Sequence, residues 1–543
     1  MQPGRMVATP SSDSIQVPRA AGDRKLAYLL VLIFACVSWI GVSHHEMWRD
    51  ELQAWTIARD SSSLVELWRN MRVEAHPMLW HTLLFVLTRF TLNPVAMQGL
   101  HWLIAVASVY LFVRLSPFTR LQKVLFCFGY YPLYEYCALS RNYSLCMLFL
   151  FLFCVLVQRQ PRNYIALACV IGLLACSHYY DWAIVLALVA VLIADGVGNP
   201  AERAHLREHG HTAIAAAAIV LLFQAFAIAE AWNYFGHIPP GKSLGHDPVS
   251  MGAALSFEWR ALFPIPITNL TSFLWNTNCV ADASSVGLAI AMVLSPLLLI
   301  LFLVVFWRRD RRAFLLYGLG TLLLWGGQLA VGFGGLRHMG KHYLLLLASW
   351  WLASSGSPWP GLDGFRGSWG RRAESLASGL ITVILAAQLI GGALCYWGDM
   401  QHIFSAAEPA VQALTDRGLA DMPIAVSPDA LATSISAYLG RKVYAVDSGR
   451  MQGFTSWDSA YYTETNSSVV ALQKTVGLLS GATNRLFLIS GGGDIVVQQG
   501  GKLVSIQRAV FWRHFQITKL AEFSQTLTDE RFWIYLVERL PGT

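Results

Sequence analysis

Two adjacent carboxylates, Asp50 and Glu51, stand in the stretch His44-His45-Glu46-Met47-Trp48-Arg49-Asp50-Glu51-Leu52-Gln53-Ala54-Trp55, directly after the first long apolar run. Acidic groups where a membrane helix leaves the bilayer are costly near lipid and usually face a watery cavity or a cationic partner. There they can accept a proton or bind a cation; a pair of solvated loop charges is the bland alternative. Neighbouring helical positions point about 100° apart, so the two do not share one task. One faces a substrate while the other binds a cation or meets the Arg49 neighbourhood.

Further charged clusters recur downstream. Glu74 and His76 stand just before Pro77, and the residue before a proline resists helix. Tyr130-Tyr131-Pro132-Leu133-Tyr134-Glu135-Tyr136 leads to Ser140-Arg141-Asn142-Tyr143. An arginine there suits a phosphate, because its planar fork donates two hydrogen bonds to phosphate oxygens. A structural ion pair between Glu135 and Arg141 is the alternative. In Ser177-His178-Tyr179-Tyr180-Asp181, His178 and Asp181 can orient a substrate or hold a metal, although tyrosine is common in the membrane interface anyway. Finally Arg337, His338, Lys341 and His342 follow a glycine pair, a basic cluster that an anionic ligand would explain.

The elements that must position these groups are membrane spans. The chain has 543 residues, 55% of them hydrophobic and only 13% charged, too apolar for a soluble globular protein and typical of a polytopic membrane protein. Its net charge of +7 gathers in short loops such as Arg308-Arg309-Asp310-Arg311-Arg312, the pattern of cytoplasmic loops and not of nucleic-acid binding. Nine cysteines, mostly in or beside apolar runs, suggest neither a disulfide framework nor zinc spacing. Residues 1–23 read as a disordered cytoplasmic tail. Apolar runs near 26–43, 96–113, 122–134, 142–158, 164–177, 182–195, 212–230, 284–306, 313–333, 342–354 and 375–395 have roughly the length of spans. Basic loops kept inside leave the 77–92 stretch shallow or re-entrant and give about 11 crossings. On that reading the acidic and basic clusters all face outward. Residues 44–76 form a first external loop with surface helices, and 231–283 a long external loop.

Beyond residue 396 the composition turns soluble. Strands at 424–427, 442–446 and 485–490, helices at 429–439 and 465–480, and strands near 515–524 and 531–538 suggest an extracytoplasmic α/β domain over 396–543. Such a domain can cover a cavity in the 24–395 membrane domain or hold an acceptor.

With these motifs in this order, residues 26–350 resemble the GT-C superfamily of polyprenyl-phosphate-dependent glycosyltransferases, near the protein O-mannosyltransferase and aminoarabinose-transferase branch (glycosyltransferase families 39 and 83). The resemblance implies a GT-C-like fold of about 11 transmembrane helices with a C-terminal soluble α/β domain. It further implies a polyprenyl-phosphate-linked sugar as donor, an acidic base at Asp50 and basic residues on the donor phosphate. Arg141, Arg337, His338 and Lys341 would meet that phosphate, with Glu51 beside the base. Glu74, His76, Glu135, Tyr143, His178 and Asp181 would line the substrate. The acceptor would be an extracytoplasmic glycan, lipid or protein, and the membrane a bacterial inner membrane with the amino terminus inside. No obvious acceptor motif is present.

The chemistry itself needs a deprotonated acceptor hydroxyl and charge stabilisation on the departing phosphate, so one carboxylate and a few cations suffice. Direct attack inverts the anomeric centre, and nothing in the sequence supports a glycosyl-enzyme. The sequence specifies no cofactor; a divalent metal ion among Asp50, Glu51, His178 or His338 is an alternative. A transporter or flippase of lipid-linked sugar is the reading from another class, but no internal repeat is evident and the charges gather at one face. A non-catalytic glycolipid-binding or assembly factor is a third.

Overall fold

Many large apolar side chains between Tyr28 and Trp397 are exposed, among them Leu32, Leu103, Ile193, Leu221 and Leu322. The computed structural model describes residues 21–74, 76–235, 254–268, 273–331, 335–355, 368–456, 468–479, 485–491, 493–499, 502–506, 509–512 and 514–540. The expected tail up to residue 20 and the 236–253 part of the long loop lie outside the described residues. The helices are α1 (Ala21–His44), α2 (Arg49–Arg59), α3 (Leu64–Asn70), α4 (Leu79–Leu87), α5 (Val95–Leu115), α6 (Arg120–Cys127), α7 (Tyr143–Val157), α8 (Tyr164–Ala175), α9 (Asp181–Gly198), α10 (Pro200–Glu208) and α11 (Gly210–Phe235). There follow α12 (Phe257–Leu262), α13 (Ser285–Arg309), α14 (Arg311–Val331), α15 (Leu336–Ser355) and α16 (Ser368–Gln401).

Among the described residues seven helices, α1, α5, α9, α11, α13, α14 and α16, are long and apolar enough to cross a membrane, and α7 and α8 are shorter apolar helices. Along α13, Val286, Ile290, Val293, Leu297, Ile300 and Val304 are exposed at helical spacing. An apolar stripe of that length facing outward fits lipid and not water. The chain is therefore a helical membrane protein. Helix α4, nine residues long, is too short to span.

The run at 122–134 departs from the expected span. A capping box at Thr119 and Gln122 starts α6, which stops at Cys127, and Tyr130–Glu135 forms one wide π turn. Pro132 has no N–H to continue a regular ladder. Gly392 of α16 lets this turn pack close: a Cβ there would stand 2.6 Å from Phe128 O and 2.8 Å from the Gly129 carbonyl carbon. Helix α15 is buried along nearly its whole length, including His338, Lys341, His342 and Ser349. It is the inner helix of the bundle, and its polar residues point at neighbours.

Past α16 the chain forms α17 (Ala407–Thr415), α18 (Ala432–Leu439) and α19 (Ser468–Val476) around a seven-stranded sheet. Two small strands precede it, β1 (Ile267–Thr268) and β2 (Phe273–Leu274). The sheet strands are β3 (Ile424–Ser427), β4 (Val443–Ala445), β5 (Arg450–Gln452), β6 (Arg485–Ser490), β9 (Ala509–Trp512), β10 (Phe515–Phe523) and β11 (Phe532–Arg539), while β7 (Val496–Gln499) and β8 (Lys502–Ser505) pair separately. Spatial order is β5-β4-β3-β6-β11-β10-β9. β3 runs parallel to β4 and β6, and the other neighbours are antiparallel. Two apolar layers flank it: Val426, Ile435, Phe487 and Ile534 on one face, Ala425, Leu488, Ile517 and Val537 on the other. This alternation is what a two-sided α/β layer requires.

Candidate active site

Helix α2 carries the acidic pair and is held from three directions. At its start, Glu51 accepts the Trp48 N–H at 3.2 Å, approaches His45 Nε2 at 3.0 Å and accepts the Ser140 N–H at 2.5 Å. The other ring nitrogen of His45 meets Asp399 of α16 at 2.9 Å. Burial works against a charged imidazole, but Asp399 and Glu51 together raise the His45 pKa well above its ordinary value. His45 thus donates both ring N–H groups and ties α2 to α16. On the opposite face, Gln53 donates to the Thr455 carbonyl at 2.7 Å and accepts from the Thr455 N–H at 3.0 Å and the Thr433 hydroxyl at 3.2 Å. Arg59 donates to the Ser436 carbonyl at 2.7 Å. The sheet domain therefore sits directly on α2.

Between α2, the Glu74–His76 segment, the start of α15 and this roof lies a cavity of about 240 Å³. Of the residues singled out in the sequence, Asp50, Glu74, His76, Arg141, Tyr143, Arg337 and His338 line it. Arg49, Gln53, Tyr179, Ala430, Thr433 and Thr455 complete the wall; the first three stand in the runs singled out above, whereas Ala430, Thr433 and Thr455 carried no sequence signal.

Asp50 is the meeting point of two guanidinium groups. Arg337 Nη2 donates to its Oδ2 at 3.1 Å, and Arg141 donates to its main-chain carbonyl while standing 3.9 Å from Oδ2. Burial raises the Asp50 carboxyl, but Arg337, Arg141 and Arg49 outweigh it and hold the pKa below the usual value. Arg337 is flanked by the rings of Trp48 and Trp275, 5.5 and 5.9 Å from its carbon. Its Nε and Nη1 are buried without a partner among the described residues, as are His76 Nδ1 and His338 Nδ1. Buried donors left unpaired cost about 1–3 kcal/mol each, so a polar ligand that satisfies them is bound with that gain.

The histidines form a neutral wall. Arg141 Nη2, a donor only, lies 3.1 Å from His76 Nε2, which must accept and leave the ring proton on Nδ1. Burial, with Arg141 next, keeps the His76 pKa well below its ordinary value. Its ring packs 4.7 Å from that of His178, and His338 Nε2 meets the Tyr143 hydroxyl at 2.9 Å. No three His, Cys, Asp or Glu side chains among the described residues are grouped to hold a metal ion, so Asp50, Glu51, His178 and His338, the alternative metal ligands, do not form such a set.

Five expected site residues lie elsewhere. Glu51 is fully buried and spent on His45, Trp48 and Ser140, because the turn of α2 carries it away from Asp50. Glu135 pairs with Tyr130 at 2.6 Å and Trp275 at 3.3 Å instead of Arg141, since the π turn points it back into the bundle. Lys341 and Asp181 form an ion pair, both fully buried, behind the cavity wall. The Lys341 ammonium is 5.6 Å from the Tyr143 ring and supports that wall without reaching the cavity. His178 likewise lies behind His76, its Nδ1 accepting the Tyr180 N–H at 3.0 Å.

No protein-family model matches the chain, and no curated protein matches it either. Among solved structures it is similar to a cryo-EM structure of the arabinofuranosyltransferase AftD from Mycobacteria, with 14% identity and a TM-score of 0.35. The match covers 94% of this chain and 41% of that one, so this chain spans about two fifths of that protein's length. So loose a likeness leaves the activity to be argued from this chain's own residues.

Proposed function

We propose that this protein is a membrane glycosyltransferase that moves a sugar from a polyprenyl-phosphate donor to a hydroxyl-bearing glycan, lipid or protein on the extracytoplasmic side of a bacterial inner membrane. The observation that carries this reading is the convergence of Arg141 and Arg337 on Asp50 in one cavity, with Arg337 Nε and Nη1 buried and unpaired. Planar forks with free N–H groups suit the oxygens of a phosphate leaving group. In the free protein Asp50 occupies the arginines; a bound phosphate takes over the unfilled donors while Asp50 keeps them oriented. The GT-C resemblance supports the same chemistry and expects inversion by direct attack, with Asp50 as the carboxylate that accepts the acceptor's proton. His76 and Tyr179, rings 5.9 Å apart and 14° from parallel, offer an aromatic and imidazole surface to a sugar.

The test is a transfer assay on the full chain in lipid nanodiscs with a panel of polyprenyl-phosphate sugars, comparing wild type with Asp50→Asn and Arg337→Ala. Wild type should release polyprenyl phosphate and both variants should lose turnover. A wild type that instead moves the intact donor between leaflets, with no release of phosphate, makes the protein a flippase.

A further inference from the structure

We propose that Glu74, and not Asp50, takes the proton from the attacking acceptor hydroxyl, while Asp50 serves as the anchor of the two arginines; this rests on the glycosyl-transfer reading above. The geometry divides the two cavity carboxylates. Asp50 Oδ2 is engaged by Arg337 at 3.1 Å with Arg141 at 3.9 Å, so protonating it means breaking charge-assisted contacts. On the transfer reading those same arginines take the departing phosphate, whose oxygen leaves without a proton being removed from it.

Glu74 lines the same cavity on another segment and keeps 13% of its side-chain surface exposed. The nearest basic nitrogen, His76 Nε2, lies 3.7 Å from Glu74 Oε1, but it already accepts from Arg141 and has no proton to give. Glu74 therefore has no ion-pair partner there. Its carboxyl hydrogen-bonds the Gln53 side chain of α2, and it shares the cavity lining with Arg49, Arg337 and the roof residues Thr433 and Thr455. The charged groups around it are Arg141, which favours its ionised form, and Asp50, which opposes it. Burial is the largest influence and pushes its carboxyl up to about 7. A general base works best when its pKa lies near the working pH, where it is both ionised and basic enough to take a proton.

The step balances within the cavity. The acceptor oxygen forms a bond to the anomeric carbon as its proton passes to a Glu74 carboxylate oxygen. The bond from that carbon to the phosphate oxygen breaks, and its electron pair leaves on the polyprenyl phosphate, facing Arg141 and Arg337.

The experiment uses the full chain in nanodiscs with whichever polyprenyl-phosphate sugar the wild type consumes. Wild-type kcat should rise with pH through about 7 and level off above it, because the ionised carboxylate is the active form. Glu74→Gln should lower kcat by about 100-fold or more, leave the donor KM near wild type and lose that pH limb. Formate should restore part of the rate to Glu74→Ala, a rescue that a purely structural role does not give and that stands even if the glutamine variant misfolds. An active wild type beside a Glu74→Gln variant of normal kcat, or no formate rescue, overturns this assignment alone. A wild type inert toward every donor overturns the transfer reading and this assignment with it.

Discussion

Arg49, the first residue of the helix that carries Asp50, donates its backbone N–H to both carboxylate oxygens of Glu530, 481 positions later, at 3.1 and 3.2 Å. Its guanidinium also grips Asp529 through two bonds, at 2.8 and 2.9 Å. An acid at a helix N-terminus satisfies a backbone N–H that has no partner within the helix and meets the positive end of the helix dipole. The distal domain thus caps α2.

Burial of the Glu530 carboxyl, which outweighs the pull of Arg49 toward the ionised form, should make stability depend on pH. Glu530 also accepts from the Ser405 hydroxyl at 2.6 Å and the Ser434 hydroxyl at 3.1 Å, yet burial outweighs these partners and raises its carboxyl to about 7. A group with a raised folded-state pKa contributes stability that is full below the unfolded value, 4.5 for this carboxyl, and is lost as pH rises through about 7. Wild-type melting temperature in detergent should fall across that window, and Glu530→Gln should flatten the slope. Identical slopes for the two proteins would refute the cap's titration.

Arg337 should matter through geometry as well as charge. Losing a charge-assisted hydrogen bond costs about 1.5–3 kcal/mol, so Arg337→Ala should weaken donor binding by about 10- to 100-fold. Arg337→Lys keeps the charge but not the fork and should recover only part of this. Isothermal titration with polyprenyl phosphate measures both; equal affinity in all three proteins would remove Arg337 from the phosphate site.

Lys341 and Asp181 should behave as structure. Breaking a buried ion pair from one side costs about 3–5 kcal/mol, so Lys341→Ala should melt well below wild type. The double change Lys341→Met with Asp181→Leu leaves no lone charge and should recover much of that loss. A double variant as unstable as the single one argues against the pair.

Two glycines of α16 offer a paired test of the packing under the π turn. Gly392→Ala drives a methyl into the main chain at Phe128 and Gly129 and should cost about 1–3 kcal/mol. Gly379→Ala meets nothing within 4 Å and should be neutral or stabilising. Thermal unfolding of the two side by side decides it.

Asp50, Arg141 and Arg337 were legible because charge is rare and costly beside so much apolar sequence, which makes each such residue informative. Glu51 was not separable from Asp50 in the sequence alone, because which neighbour faces a cavity depends on the rotation of α2, and the buried His45 and Ser140 contacts fix that rotation. Lys341 looked like a phosphate ligand because its partner, Asp181, lies 160 positions away and nothing local pairs them. The apolar run at 122–134 looked like a span because hydropathy ignores what Gly129 and Pro132 do to the backbone. The strands at 424–427 and 485–490 were plain from their apolar runs. Thr433 and Thr455 were not, since ordinary hydroxyl residues become cavity lining only when the domain docks.

That docking has a consequence for how the protein matures. The floor around Asp50 enters the membrane early in synthesis, whereas Thr433, Thr455 and Glu530 follow the last long helix, so the chamber is finished only after the ribosome has passed them. Until then the acid and its arginines stand open to water, which weakens every electrostatic contact among them. On the proposed transfer reading, shortened forms ending before residue 430 lack this roof and should insert normally yet show no turnover.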